Sequence, residues 1–580
     1  MSRHEERRRS SVLKLSANPL VVRETSISAA LGSQTKNVFG LKTRDVEGQE
    51  NYLPVEGLDY TGLPEFQRHT ETTNIELFYD LFFVANLTTF SGIHEINDRK
   101  TLTSYIGFFC VLWFTWCQVS LFDVRFVADS VLERAAKGVH LGVMVGLAIV
   151  APNFQPEDQQ KQVFQTMSLI LMVSRIVLGL QYLLVMWHVR KYQNTKVPFL
   201  LIAASNFVAA AVYLGVTFAF GDKNSTAYRS FYVIAIFEIA TNIMVSSNWK
   251  AVTFKGTHLV QRMSLLTLII LGEGVMTTVQ KITTIVYNEH AWDGPTIGTI
   301  IAAISIVYLL YMLYFDALPD YHFGSIRQQF WAFLHFPFHL FLVLLVEGIA
   351  QFVIWFKMNE VATSLLVFLD IPEIQDGLET NNWGALASAI NDTVQQIFDS
   401  YPPTDFNTYE MINSSLTTLQ ESTTKQQAED TLLELIYGVI HSIYQTYGFA
   451  APESNAGSTT LTAADELQND YNVIGLVFVY FFVAAGLTLM LMGVLNLLTL
   501  PRSCFSKQGL RSPGLWARHG IFFVVGAAIA GLAGLINGEA GYNLSISPWL
   551  LPVVVLGLVI VLVAQYVRWP QKTLTGEGKE

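Results

Sequence analysis

Residues 74–92 read Asn-Ile-Glu-Leu-Phe-Tyr-Asp-Leu-Phe-Phe-Val-Ala-Asn-Leu-Thr-Thr-Phe-Ser-Gly. The stretch is long and apolar enough to predict a membrane-crossing helix, yet it carries Glu76 and Asp80. Four residues apart, the two acids share one helical face. A carboxylate held deep in a bilayer costs roughly 2.5–3.5 kcal/mol by insertion scales unless it is paired or neutralised. The face bearing Glu76 and Asp80 is therefore expected to look into a polar interior, and the other helices to house it.

Composition points the same way. Of 580 residues, 51% are hydrophobic and 14% charged, with a mean hydropathy of +0.37. A soluble chain would carry about 25% charged residues. The start, Met-Ser-Arg-His-Glu-Glu-Arg-Arg-Arg-Ser-Ser, lacks the apolar core of a signal peptide, so the first membrane segment is expected to target the chain. Three cysteines make no disulfide framework, and Cys110 and Cys117 read as small packing residues. Net charge is −11, unevenly spread: residues 357–470 hold 17 acidic residues against Lys357 and Lys425. An acidic module is set into a mildly basic membrane protein.

Outward from the opening stretch, apolar segments of spanning length fall near 75–93, 102–122, 136–152, 163–188, 197–219, 229–248, 259–280, 296–317, 328–356, 471–498, 517–537 and 547–567. Pro337 is a candidate kink in the ninth. The predicted fold is an all-α polytopic bundle of about twelve spans. Residues 1–73 form a disordered tail, 74–356 carry nine spans, 357–470 an extracellular helical insertion, 471–568 three further spans, and 569–580 a short tail. Within the insertion, helices are predicted near 383–399, 406–420 and 427–447. In the last, Leu432, Leu435, Ile436, Val439 and Ile443 recur at helical spacing. Its acidity reads either as a cation-attracting vestibule or as a solvated face that keeps it soluble.

Two signals set the orientation. Loops on the side of the termini hold Arg125, Arg134, Lys137, Arg190, Lys191, Lys196, Lys250, Lys255, Arg502, Lys507, Arg511 and Arg518. The opposite short loops are poorer, with Arg99, Lys100, Lys161, Lys223 and Arg229. This bias places both termini in the cytoplasm. Glycosylation triplets begin at Asn224, Asn391, Asn413 and Asn543, all on the opposite side. They indicate a secretory route to the plasma membrane or an internal membrane of that pathway.

Charged residues lie within or at the edge of other spans too: Asp123, Arg125, Arg175, Glu238, Arg262, Glu273, Asp316 and Glu347, with His335 and His339 in the ninth. Left unpaired they would cost on the order of 20 kcal/mol, more than the roughly 5–15 kcal/mol by which a fold is stable. They must pair, stay neutral or line water. As structural pieces, Arg175 and Arg262 would lock helices through Glu76, Asp80, Glu238 or Glu273. As functional ones, the carboxylates would bind or relay a proton or cation, with the arginines tuning them. His335 and His339, four apart, would meet a metal with Asp316 or Glu347, or be ordinary histidines among Trp331, Phe333, Phe336 and Phe338. Gly272-Glu273-Gly274 lets a backbone or ion approach, or simply loosens the helix.

Four motifs give the chain a resemblance. They are Glu76-Leu77-Phe78-Tyr79-Asp80-Leu81-Phe82-Phe83-Val84; Leu121-Phe122-Asp123-Val124-Arg125-Phe126 after Trp113 and Trp116; His258-Leu259-Val260-Gln261-Arg262 leading to Leu271-Gly272-Glu273; and Tyr314-Phe315-Asp316, followed by His335 and Gly348. Together these residues resemble the low temperature requirement A (LtrA) family, multi-pass membrane proteins of bacteria with fungal relatives, in a fungal-type form. Arg175 sits where the family carries an arginine in its fourth segment. The resemblance runs over 74–350 and more weakly over 471–568. Gln261 stands where the family usually has Glu, and Gly274 where it usually has Ser. The resemblance implies an all-helical membrane protein associated with growth in the cold, without a defined molecular activity.

Phosphate loops, nucleophile elbows, paired Cys-x-x-Cys and His-Glu-x-x-His are missing from the sequence, and basic residues are dispersed as loop anchors. The chain reads as a non-enzyme with no cofactor, no resident metal and no nucleic-acid partner; its partners are membrane lipids. Two readings stand: a secondary transporter or channel-like protein for a proton, cation or small solute, and a non-transporting cold- or stress-response sensor or scaffold. A lipid-modifying enzyme built on His335, His339 and Asp316 ranks last. Faint similarity between the first and seventh segments raises a six-plus-six repeat.

Overall fold

A computed structural model describes residues 15–20, 64, 66–67, 71–93, 96–126, 128–192, 195–221, 225–286, 292–318, 325–365, 372–402, 406–449, 463–500 and 513–567. The arginine cluster at 7–9, the 569–580 tail, Asn224, Lys223, Arg502, Lys507 and Arg511 lie outside them. The described chain is helical: α1 (Asn74–Ile93), α2 (Arg99–Phe126), α3 (Val131–Val150), α4 (Lys161–His188), α5 (Lys196–Ala219), α6 (Arg229–Asn248), α7 (Leu259–Val286), α8 (Gly294–Phe315) and α9 (Ser325–Leu365) precede the acidic module. The module holds α10 (Pro372–Thr380), α11 (Trp383–Ser400), α12 (Phe406–Gln420) and α13 (Lys425–Thr446). After it come α14 (Ala463–Thr499), α15 (Pro513–Gly531), α16 (Glu539–Ser545) and α17 (Leu550–Tyr566).

Among the described residues, ten helices are long and apolar enough to cross a membrane, and the bent pair α16–α17 makes eleven if it counts as one span. In lipid a backbone must satisfy its own polar groups, which the helix does within one segment. Helix α1 is not among the ten. Its 20 residues reach about 30 Å, but Glu76, Asp80 and Asn86 dilute its apolar character. Those three are buried, as are Tyr79, Phe83, Leu87 and Phe90 on the same stripe, while Ile75, Phe78 and Leu81 point outward. The polarity of α1 is thus confined to its inner face.

The chain divides into two compact units, which share three helices. The first takes the chain up to Phe83, with Val111–Val150 and Gln159–Arg262; the second takes Val84–Cys110, Ala151–Asp158 and Met263 onward. This is not the clean six-plus-six division raised by the sequence, because halves of α1 and α2 fall in the second unit.

In the first unit α4 packs on α3 and α5, and α5 on α6. The amino-terminal segment is not wholly a disordered tail. Leu20 forms a bridge with Phe66, whose ring lies 5.0 Å from Phe126 and 6.2 Å from Phe199, and Ser16 Oγ lies 3.2 Å from His188 Nε2. An aromatic side chain gains more by covering apolar surface than its segment loses in freedom there. Two predicted loop cations are also corrected. Arg125 and Lys137 lie buried in α2 and α3, since α3 begins at Val131 rather than near 136.

In the second unit α9 runs 41 residues, about 60 Å, continuously through Pro337. It therefore extends beyond the hydrocarbon core and into the region assigned to the insertion. Lys357 on that extension bonds Asp293 (2.6 Å) and Glu360 (3.1 Å). Asp293 caps α8, accepting the Thr296 backbone N–H at 2.7 Å. Burial alone would raise the Asp293 carboxyl, but the Lys357 and Thr296 bonds outweigh it and hold it at about 2. The module's helices match the predicted ones, with α10 added. Leu432, Leu435, Ile436, Val439 and Ile443 are buried on α13, and Tyr444 brings its ring 5.6 Å from Trp355 of α9.

Helix α14 packs along α9 and α15. Its crossing with α15 depends on two facing glycines: a Cβ on Gly486 would lie 2.3 Å from Gly526 O, and one on Gly526 would lie 2.7 Å from Gly486 O. Small residues let membrane helices approach to backbone contact. Replacing Gly486 by Val should therefore cost about 1–3 kcal/mol, seen as a lower unfolding midpoint and loss of monodispersity in detergent, while Gly520→Val, in open space, should leave both unchanged.

Candidate functional site

Glu76 sits in the first turn of α1, not near its middle. Thr73, just before the helix, donates its backbone N–H (2.7 Å) and hydroxyl (2.9 Å) to Glu76 Oε2. This Thr-x-x-Glu arrangement returns a side-chain acceptor to the unpaired amides of the helix start. The same carboxylate faces His258 Nε2 at 3.0 and 3.2 Å. One turn deeper, Asp80 Oδ2 accepts from Arg262 Nη1 at 2.6 Å and Oδ1 from Trp116 Nε1 at 2.7 Å. Arg262 also donates to Ser120 Oγ at 3.0 Å. All of these side chains are nine-tenths or more buried, apart from the capping Thr73.

Two more ion pairs lie in the same unit. Lys137 of α3 is bonded to Asp123 of α2. Arg175 Nε, halfway along α4, donates to Glu238 Oε1, halfway along α6, at 2.6 Å. In low dielectric a lone charge of this kind would cost several kcal/mol, so each cation has brought an acid with it. Arg125 differs. Its guanidinium donates to neutral acceptors: Leu121 O (2.7 Å), Val252 O (3.2 Å), Tyr182 Oη (2.6 Å) and Asn242 Oδ1 (3.2 Å). It also lies 4.3 Å from the Phe254 ring centroid, where the negative face of the ring favours a cation.

The sequence predicts one buried cluster that also takes in Glu273, Asp316 and His335; of its members the first unit holds Glu76, Asp80, Asp123, Arg125, Arg175, Glu238 and Arg262. That prediction leaves out Glu133, Lys137 and His140. These recur at i, i+4 and i+7 on α3 and are all buried. Gln181 joins two of them, donating Nε2–H to Glu133 Oε2 (2.8 Å), with its Oε1 2.9 Å from His140 Nε2. The spacing was present in the sequence, but a helix start drawn five residues late left Glu133 and Lys137 in a loop. His258 stands in the third sequence motif, and only the structure shows it as the partner of Glu76.

The remaining predicted residues belong to the second unit and to other surroundings. Glu273 accepts from Thr88 Oγ1 at 2.6 Å. Its neighbour Gly274 serves close approach, since a Cβ there would meet Val346 at 2.6 Å. His335 lies 2.7 Å from Tyr314 Oη and 2.8 Å from Trp331 O, and His339 lies 2.8 Å from Thr267 Oγ1. Asp316 is not intramembrane: α8 ends at Phe315, and Asp316 is exposed just past it, accepting from Tyr566 Oη. The His335–His339–Asp316 metal set is therefore not assembled. Among the described residues no group of three or more His, Cys, Asp or Glu side chains is placed to hold a metal.

Residues 71–369 match the family model described as "Bacterial low temperature requirement A protein (LtrA)". That span holds α1–α9 and both units' charged helices; the weaker resemblance over 471–568 falls outside it. No curated protein and no solved structure matches the chain.

Breaking one buried pair should be costlier than removing it. Arg175→Met should lower stability by about 3–5 kcal/mol by stranding Glu238, measured as the unfolding midpoint of purified protein. The double variant Arg175→Met/Glu238→Gln should recover most of that loss.

Proposed function

The chain belongs to the LtrA family, and on that premise we propose that this multi-pass membrane protein is a secondary transporter or channel-like protein that handles protons through the buried array of its first unit. The observation that carries this reading is a charge count. Five buried carboxylates, Glu76, Asp80, Asp123, Glu133 and Glu238, stand against four fixed cations, Arg125, Lys137, Arg175 and Arg262. An excess buried charge in low dielectric is expensive enough to take up a proton instead. The set is therefore one positive charge short, and a proton taken up among its carboxylates supplies it. A proton shared among several buried acids is what a relay uses. The depth of the groups supports it: Glu76, Asp123 and Glu133 lie within a turn of helix ends, and Arg175 and Glu238 lie halfway along theirs.

A second reading draws on the pairing itself. Because Asp80, Asp123 and Glu238 each hold a cation, the array would equally fix helix packing in a sensor or scaffold, with α10–α13 as a partner surface. The two part in liposomes. Protein reconstituted there should dissipate an imposed pH gradient, and Glu76→Gln, which keeps an acceptor for Thr73 and strands no arginine or lysine, should abolish that flux at normal folded yield. Loss of folded yield, with no flux in wild type, supports the scaffold.

Cytoplasmic termini and secretory-route glycosylation belong to this proposal as well. Asn413 and Asn543 are exposed and Asn391 is half-exposed. Expressed in a eukaryotic host, the protein should shift in mobility on glycosidase treatment, and Asn413→Gln should remove part of the shift. No shift in wild type would count against an extracellular module.

A further inference from the structure

Tyr79 stands between the two acids of the opening motif and has no role so far. Its side chain is 1% exposed, and its hydroxyl has no hydrogen-bond partner. It is nonetheless surrounded by charge. Asp80, Asp123, Arg175 and Arg262 all act on it electrostatically, and Lys137 Nζ lies 5.5 Å from its ring centroid. Every one of those residues belongs to the first unit. Three of the same groups, or their direct partners, also carry an unsatisfied buried atom: Asp123 Oδ1, Glu238 Oε2 and Arg262 Nε.

Four orphaned polar atoms around three ion pairs are not a packing solution. A buried polar group without a partner loses its full solvation, which is why such groups in folded proteins nearly always hold a protein partner or an ordered water. The chemistry of this set decides the occupant. Two carboxylate oxygens accept, a guanidinium N–H donates, and a hydroxyl does both. A metal cation would face two arginines and a lysine, and an anion would face Asp80, Asp123 and Glu238. Water, which donates two hydrogen bonds and accepts others, suits all four.

We propose that the Tyr79 hydroxyl lies on an internal water site within the first unit, and that this hydroxyl passes protons between the Asp123–Lys137 pair and the inner Arg175–Glu238 pair. This rests on the proton-handling reading above and names its conducting element. The transfer balances without any further reactant. A proton reaching the water displaces one from water to the tyrosine oxygen as the tyrosine O–H proton leaves toward the next acceptor. Tyrosine and water each end with the protons they began with, and one proton has moved on.

Two measurements test it. Tyr79→Phe keeps the ring and removes only the hydroxyl, while the water keeps its carboxylate and guanidinium partners, so folded yield should not fall. In reconstituted vesicles its proton flux should drop at least tenfold below wild type. Radiolytic hydroxyl-radical footprinting of the wild-type protein should label Tyr79 several-fold faster than Tyr105, an equally buried tyrosine whose hydroxyl is bonded to Ser91. Full flux in Tyr79→Phe while Glu76→Gln abolishes it would overturn the relay and leave the transport reading standing. Labelling of Tyr79 no faster than Tyr105 would overturn the water site whatever the flux. Were wild type to carry no flux, the transport reading and the relay would fall together, and fast labelling of Tyr79 would still uphold the water site.

Discussion

A carboxylate on a helix meant for lipid must bring its own solvent, and Asp80 does so with Arg262 and Trp116. The guanidinium and the indole N–H take both oxygens, so neither is left without a donor. That single requirement brings the starts of α1 and α7 and the middle of α2 to one place. Once Arg262 is there, Ser120 has a donor, and His258, four residues earlier, is delivered to Glu76. Asp123 with Lys137, and Glu238 with Arg175, repeat the principle elsewhere in the unit.

The array mixes two kinds of buried cation. Lys137, Arg175 and Arg262 each hold a carboxylate, which fixes position at little net gain in energy. Arg125 is held by carbonyls, a phenol, an amide and aromatic faces instead. A guanidinium is more weakly hydrated than an ammonium and spreads its charge over a plane, which suits such a site and would not suit a lysine. Glu133 stands outside these pairs, its carboxylate accepting from the Gln181 amide instead.

Much of this was legible in the chain. Runs of apolar residues located the helices, because twenty such residues have few other stable uses, and the 3.6-residue rhythm of Leu432 to Ile443 placed α13 and its buried face. The buried charges were legible because ionisable residues are so rare in such runs. What could not be read was partnership. Lys137 looked like a loop anchor because hydropathy marks where apolar character begins, not where the helix does. Glu76 looked intramembrane because the capping arrangement with Thr73 was masked by the apolar residues around it. Asp316 looked buried because it closes an apolar run, although the helix stops one residue sooner. Gly274 departs from the family pattern for a reason visible only in three dimensions, the closeness of Val346.

The separation between Asp80 and Arg262, 182 residues along the chain, has a consequence for how the protein is made. The opening helix reaches the insertion machinery long before its counter-ion has been translated. With two acids and an asparagine on its inner stripe, it is a poor substrate for release into lipid by itself. Asp80 has no guanidinium to pair with until the seventh helix has been made. The contact that closes the first unit is thus one between an early helix and a late one, and it cannot form helix by helix as the chain is synthesised.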